Sequence, residues 1–150
     1  MRFILTQELG RLAKWLRLLG FDAEYFPENN ASSLIIQALR DERIILTRNS
    51  HLPKSKGLKI VLLDSEKIKE QVAEVTKKLH ILPDKDKLFT RCLLCNAELQ
   101  GIDKEKVKGK VPEYVFKTQQ HFITCPRCNR IYWQGTHWGN VEKTLKEITG

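Results

Sequence analysis

Two Cys-x-x-Cys pairs restrict this chain more than any other feature of its sequence. The four cysteines are Cys92, Cys95, Cys125 and Cys128. A two-residue spacer lets a tight turn aim both sulfurs at one metal ion, and two such knuckles complete a tetrahedral site. The pattern favours a structural zinc ion over the alternatives, which are two disulfides, a pair of redox dithiols or an iron–sulfur cluster. Because four thiolates leave no open position for water, such a zinc ion holds structure without taking part in chemistry.

The residues before the cysteines alternate between strand-like and helix-like patterns. β-prone runs occupy 3–6, 23–26, 43–47 and 59–63, and apolar side chains recur at helical spacing over 9–19, 32–40 and 65–79, where Ser65 is a candidate N-cap. This alternation is typical of an open parallel sheet with crossover helices.

A polar segment that contains Pro83 separates the two kinds of sequence. We therefore predict an α/β domain over 1–82 and a small zinc-ribbon domain over 88–150. The second domain is expected to end in a helix over 141–148, where helical periodicity returns.

The charge balance points to an anionic partner. Lysine and arginine total 26 against 18 acidic residues, so the formal net charge is +8. Nucleic acid is the first candidate for a chain this basic. The apolar runs are far shorter than the roughly 20 residues that span a bilayer, and the N-terminus turns polar before a signal-peptide core could form. We expect a soluble cytoplasmic protein that does not bind membranes.

Several basic and aromatic residues are candidates for contact with RNA. Arg11 and Lys14 lie on the polar arc of the first predicted helix, and Lys108 and Lys110 lie between the two knuckles. Each is either a solvated side chain or a phosphate contact. The segment 132–138 is unusually aromatic, and its Trp133 and His137 are candidates for stacking on unpaired bases. Packing of this segment against the first domain is the alternative.

Taken together, these segments resemble the Mut-seven C-terminal RNase domain family. The resemblance rests on Phe3 and Ile4, residues 9–22 and 43–48, Gln71, the cysteine pairs and residues 132–138, in that order along nearly the whole chain. It implies a PIN-like α/β sheet followed by a zinc ribbon. It also implies a ribonuclease that depends on a divalent metal, Mg²⁺ or Mn²⁺, held by carboxylates at the C-terminal ends of the parallel strands.

The chain departs from that family at the acidic positions the resemblance implies. Thr6, Ala31 and Asn49 stand where acids are expected, so three negative charges are missing. Glu8 is the nearest acid that could replace them. We expect Thr6 and Asn49 to lie side by side in one cleft, with Arg48 at its rim.

Three functions follow from these residues. The first is an RNA-binding protein of a ribonuclease family whose metal site is degenerate. The second is an active ribonuclease that uses Glu8 and Mg²⁺ or Mn²⁺. The third is a protein-interaction module of a ribonucleoprotein or of a toxin–antitoxin-like system.

Overall fold

The computed structural model describes residues 1–133 together with Lys143 and Lys146. Helices and strands follow one another along the chain in this order: β1 (Arg2–Leu5), α1 (Gly10–Leu18), β2 (Asp22–Tyr25), α2 (Ala31–Arg40), β3 (Ile44–Thr47), β4 (Ile60–Leu62), α3 (Ile68–Leu79), β5 (Gln100–Ile102), α4 (Glu113–Thr118), β6 (Phe122–Thr124) and β7 (Ile131–Trp133). A short 3₁₀ turn over Gln7–Leu9 leads from β1 into α1. The predicted helix over 141–148 lies outside the described residues except for Lys143 and Lys146.

The first four strands form one parallel sheet in the order β2-β1-β3-β4. Leu5 is in register with Tyr25 on one side and with Leu46 on the other. The C-terminal ends of the three strands therefore meet at one edge of the sheet. The predicted α/β fold with a parallel sheet flanked by helices is confirmed.

Helices cover both faces of this sheet because successive strand residues point to opposite sides. Phe3 and Leu5 pack with Leu12 and Leu16 of α1 and with Val72 of α3. On the other face, a second cluster contains Ile4, Phe26, Leu34, Ala38 and Ile45, and α2 contributes two of these residues. Strand β3 is buried at every position because neither of its faces meets water.

The second sheet is antiparallel and has the order β5-β6-β7. A small core of Val107, Val115 and Phe122 supports it. Helix α4 supplies Val115, and the sequence analysis did not predict this helix. Its six residues follow Pro112, the N-cap residue.

The N-terminus of α3 also differs from the prediction. The helix begins at Ile68, with Lys67 as the N-cap residue and no capping side chain. Ser65 is not the cap, since its Oγ instead accepts a hydrogen bond from the Lys67 N–H at 3.1 Å. None of the helices that the structure describes has the length and apolar character that crossing a bilayer requires.

The segment between the two sheets is packed against α1. The Phe89 N–H donates to the Leu18 carbonyl at 2.9 Å, and Leu88 contacts the core under α1. Gly20 has a φ of +90°, and a Cβ atom there would overlap the backbone of Lys87. The division of the chain into domains 1–82 and 88–150 stays a prediction.

Candidate functional site

The four cysteines form one cluster in which all the sulfur atoms lie within 4.8 Å of one another. Sγ of Cys92 is 3.4 Å from that of Cys128, and Sγ of Cys95 is 3.3 Å from that of Cys125. Burial would raise the pKa of Cys92, but hydrogen bonds from the Tyr132 hydroxyl and from backbone amides lower this pKa to about 6. Four thiols in this arrangement fit a metal ion such as zinc.

The two knuckles have the same backbone geometry. The Asn96 N–H donates to the Cys92 carbonyl, and the Asn129 N–H donates to the Cys125 carbonyl, each at 2.9 Å. Both asparagines have a left-handed backbone conformation, with φ of 72° and 60°. Asparagine adopts this conformation more readily than most residues, because its short side chain forms local hydrogen bonds.

The first knuckle is bonded to the exposed edge of the parallel sheet through Asn96. Its Oδ1 accepts from the Ala23 N–H at 3.0 Å, which satisfies a donor on the edge strand β2. Its Nδ2 donates to Asp22 at 2.7 Å and to Glu24 at 3.2 Å. Asn96 is only 4% exposed, so these bonds are shielded from water.

Arg17 makes a second connection between the sheet and the knuckle. Its Nε donates to the Ala23 carbonyl and its Nη1 to the Leu93 carbonyl, both at 2.8 Å. The side chain is buried. Helix α1, strand β2 and the first knuckle are therefore joined by one set of hydrogen bonds.

Asp22 lies at the opposite end of the sheet from the predicted cleft. Its carboxylate accepts from Arg43 Nη1 at 2.6 Å as well as from Asn96. Burial would raise the pKa of Asp22, but these two hydrogen bonds outweigh burial and hold the pKa below its usual range. Asp22 therefore has a structural role.

Glu8 lies at the C-terminal edge of the parallel sheet. Its Oε1 accepts hydrogen bonds from the Thr6 hydroxyl at 2.5 Å, the Thr47 hydroxyl at 3.2 Å and the Arg48 N–H at 2.9 Å. Burial would raise the pKa of Glu8, but the bonds from Arg48, Thr6 and Thr47 lower it below the ordinary 4.5. The acid is therefore ionised and bound to the ends of two neighbouring strands.

The predicted cleft residues come together around this carboxylate. Oγ1 of Thr6 is 2.9 Å from Oγ1 of Thr47, and the Asn49 N–H donates to the same Thr47 oxygen at 3.0 Å. The guanidinium of Arg48 lies 3.7 Å from the Glu66 carboxylate. We call this group of Thr6, Glu8, Thr47, Arg48 and Asn49 the strand-end cleft.

Ala31 is exposed at the first position of α2 and contributes no carboxylate. Over the described residues, the cysteine cluster is the one group of three or more His, Cys, Asp or Glu side chains arranged to hold a metal ion. Among the described residues, the strand-end cleft holds no such group, since Glu8 is its single acidic side chain.

The remaining candidates for RNA contact lie on different surfaces. Arg11 and Lys14 are exposed on α1, and Lys108 and Lys110 are exposed on the loop before α4. Trp133 is 36% exposed, and its ring packs edge-on against Phe122 with 6.5 Å between centroids. His137 lies outside the described residues.

Sequence reasoning missed Asn96 and Tyr25. An asparagine follows the second cysteine of each pair, as Asn96 and Asn129, and this repetition could have indicated a left-handed turn. Tyr25 ends β2, where its hydroxyl donates to the Gln7 carbonyl at 2.6 Å. No pattern in the sequence predicts that contact.

A parallel sheet with a polar strand-end cleft, joined to an antiparallel module whose four clustered thiols could hold a metal ion, defines an α/β protein with a four-cysteine module. Residues 1–145 match the model of the family described as the Mut7-C RNAse domain. Because the match spans almost the whole chain, the protein belongs to this family, as the resemblance implied. Comparison with curated proteins and with solved structures gave no significant match.

Proposed function

We propose that this protein binds single-stranded RNA at the strand-end cleft without using a divalent metal there. The observation that carries the proposal is the state of Glu8, whose Oε1 already accepts three hydrogen bonds from the protein. A hard cation would have to displace those donors to use that oxygen. The family implies a ribonuclease, and in this chain the site retains RNA recognition while its metal chemistry is degenerate.

Charge count supports this proposal. Divalent cations are held by several carboxylates, and two-metal sites need enough negative charge to offset ions about 4 Å apart. Thr6, Ala31 and Asn49 supply none of that charge. Their neutrality leaves Glu8 as the one acid of the strand-end cleft, so a phosphate meets less repulsion there.

The cysteine cluster supports a separate, structural role for zinc. Among the described residues, the ribbon core has three buried members, Val107, Val115 and Phe122, with a few partly buried side chains packed against them. Small cores of this kind need a metal or disulfides to stay folded. We assign zinc to the four thiols because four-thiolate sites are characteristic of structural zinc.

An RNA-binding and cleavage assay tests the proposal. Labelled single-stranded RNA is incubated with the wild type and with Glu8→Gln, with and without Mn²⁺. We expect binding without cleavage, no dependence on Mn²⁺, and affinity that falls steeply with salt as counterions are released. Absence of binding, or Mn²⁺-dependent cleavage that Glu8→Gln abolishes, would overturn it.

Arg48→Gln and Arg40→Gln form a matched pair for the same assay. Both arginines are exposed and close to an acid, Arg48 to Glu66 and Arg40 to Asp41. Arg40 ends α2, ahead of β3, and therefore lies toward the opposite edge of the sheet from the cleft. We expect Arg48→Gln to weaken RNA binding and Arg40→Gln to leave it unchanged.

An active ribonuclease is the second candidate, because Glu8 does lie at the sheet edge where the family's chemistry is expected. It requires Glu8 to bind Mg²⁺ or Mn²⁺ together with oxygens from RNA or water, either through its other carboxylate oxygen or by releasing the hydroxyls of Thr6 and Thr47 from Oε1. The cleavage arm of the assay decides between the two candidates.

A further inference from the structure

A cavity of about 540 Å³ opens between α1, the end of β2 and the first knuckle. Its walls include Arg11, Lys14, Arg17, Tyr25, Leu93 and Leu94. The volume is within the range of about 300–1,000 Å³ that small-ligand sites occupy. We propose that this cavity binds one unpaired nucleotide of an RNA strand, with the base on Tyr25 and the phosphate at Arg11 and Lys14. The inference rests on the proposed function and names a further subsite for the same RNA.

Tyr25 is a fixed aromatic surface. Its hydroxyl is bonded to the Gln7 carbonyl, and its ring lies against the start of α1, where a Cβ atom on Gly10 would be 3.3 Å from the ring. The residue is still 36% exposed. A ring already held in place loses little conformational entropy when a base stacks on it.

Two cations lie on the same wall of the cavity. Arg11 and Lys14 are three positions apart on α1, so their side chains project from one face of the helix. Within residues 1–133, neither forms an ion pair with an acidic side chain, and both are exposed. The acid that also lines the cavity, Glu24, accepts a hydrogen bond from Asn96 and lies 4.0 Å from Arg43. The negative charge of Glu24 is thus partly compensated, while the two cations remain available for a phosphate.

The apolar part of the cavity comes from the knuckle. Leu94 is 48% exposed, although it lies between two cysteines of the metal cluster. An apolar side chain, an aromatic ring and two cations match the flat base and charged phosphate of a nucleotide. Single-stranded RNA fits this combination better than a duplex, whose bases are stacked on one another.

The cavity also lies along the edge of the sheet from the strand-end cleft. Tyr25 is in register with Leu5, which directly precedes Thr6. Gln7, which holds the tyrosine hydroxyl, lies between Thr6 and Glu8. One RNA strand that contacts Arg48 can therefore continue across β1 to Tyr25.

Fluorescence anisotropy with a labelled, unstructured RNA tests the stacking contact. Tyr25→Leu should weaken binding about tenfold, since a stacked base contributes about 1–3 kcal/mol. Tyr25→Phe keeps the ring and should retain most of the affinity. Tyr114→Leu is the matched control, because Tyr114 is 70% exposed on α4, and it should not change binding.

The salt dependence of the same binding tests the phosphate contacts. Arg11→Gln combined with Lys14→Gln should reduce the slope of log affinity against log salt by about 0.7, the value for one phosphate of single-stranded RNA. The control pair Lys54→Gln and Lys56→Gln removes two exposed lysines from the loop before β4 and should leave the slope unchanged.

The outcomes separate this inference from the proposed function. If the wild type does not bind RNA, both are wrong. If Arg48→Gln weakens binding but Tyr25→Leu does not, the nucleotide subsite is wrong and the proposed function stands. Equal affinity for duplex RNA, or for free mononucleotides, would also overturn the subsite. If Tyr25→Leu does not fold, an RNA carrying 2-aminopurine decides with the wild type, because stacking must quench its fluorescence.

Discussion

Asn96 and Asn129 hold equivalent positions in the two knuckles, but they face different surroundings. Each follows the second cysteine of its pair and adopts a left-handed conformation. Asn96 is buried and bonded to Asp22, Ala23 and Glu24, whereas Asn129 is exposed. The same turn therefore attaches the ribbon to the sheet at one knuckle and faces solvent at the other.

Replacing each asparagine by glycine should separate these two situations. Glycine tolerates the positive φ at both sites, so backbone strain does not enter the comparison. Asn96→Gly should lower the free energy of unfolding by about 2–3 kcal/mol, because it leaves the Ala23 N–H without its partner. Asn129→Gly should cost less than about 1 kcal/mol. Urea unfolding measures both, and equal losses would contradict the assignment of Asn96 as the docking residue.

Gly20 and Gly57 offer a second matched comparison. Their φ angles are +90° and +81°, so alanine is strained by a similar amount at each. A Cβ atom at Gly20 would overlap Lys87, but at Gly57 it would have no heavy atom within 4 Å. Gly20→Ala should therefore be less stable than Gly57→Ala by about 2 kcal/mol, as overpacking predicts. Similar thermal unfolding of the two variants would show that the 83–90 segment is not packed on α1.

The contribution of Glu8 to stability should depend on pH. Its pKa is below 4.5 in the folded protein, so its stabilising effect is complete above about pH 4.5 and is lost as the pH falls through the lower, folded value. Near pH 7, Glu8→Gln should be less stable than the wild type by about 1 kcal/mol. The difference should shrink toward zero in acid. Urea unfolding from pH 7 downward measures it.

Exposed Glu28 is the control for that experiment. It lies in the loop between β2 and α2, and Glu28→Gln should change the free energy of unfolding by less than about 0.5 kcal/mol at pH 7. A Glu8 difference that stays constant with pH would contradict the bonded, ionised carboxylate described here.

Restoring acids should convert the strand-end cleft into a metal site. We expect Thr6→Asp, Ala31→Asp and Asn49→Asp together to raise Mn²⁺ affinity and to weaken metal-free RNA binding. Aspartate at position 6 also replaces the hydroxyl that donates to Glu8 with a second negative charge. The variant should therefore be less stable than the wild type without metal and should recover stability when Mn²⁺ binds.

Calorimetry and thermal unfolding with Mn²⁺ check this prediction. A control with the same change in charge carries aspartate at three exposed positions away from the cleft: Ser55, Gln120 and His121. It should bind Mn²⁺ no better than the wild type. If the wild type already binds two Mn²⁺ ions in the cleft, the degenerate-site proposal is wrong.

The purified protein should contain one zinc ion per chain. Cys95→Ser should lower zinc affinity and increase hydrogen exchange in the ribbon, because metal binding supplies much of the folding free energy of small metal-bound domains. Tyr132→Phe removes a hydroxyl 3.2 Å from Cys92 Sγ but keeps all four thiols, so it should lower zinc affinity less than Cys95→Ser does. Elemental analysis measures the zinc. Zinc-free protein with oxidised thiols after reducing purification would contradict the assignment.

The sequence predicted the features that depend on local pattern. The continuous apolar run of Ile44, Ile45 and Leu46 predicted a strand covered on both faces. The cysteine spacing alone predicted that the four sulfurs lie together. Helix α4 was missed because six residues are too few for a helical period to be visible. Ser65 was the predicted N-cap residue of α3, but Lys67 holds that position. Because Lys67 has no capping side chain, residue type does not identify this cap.

The contacts that build the candidate sites could not be predicted in this way. The hydrogen bond between the Ala23 N–H and Asn96 joins residues far apart in sequence. The contact of the Tyr25 ring with Gly10 depends on how α1 crosses the sheet. Glu8 was identified as a nearby acid, but its hydrogen bonds to Thr47 and Arg48 require the parallel register of β1 and β3. Local periodicity carries no information about these pairings.

The bond between Asn96 and β2 has a consequence for synthesis of the chain. Ala23 leaves the ribosome 73 residues before Asn96 does, an interval of about 4–15 s at about 5–20 residues per second. During that interval the edge of β2 lacks its cover, and an open edge can pair with strands of other nascent chains. The ribbon therefore covers the β2 edge late, and any delay in translation between these residues prolongs the period in which that edge is open.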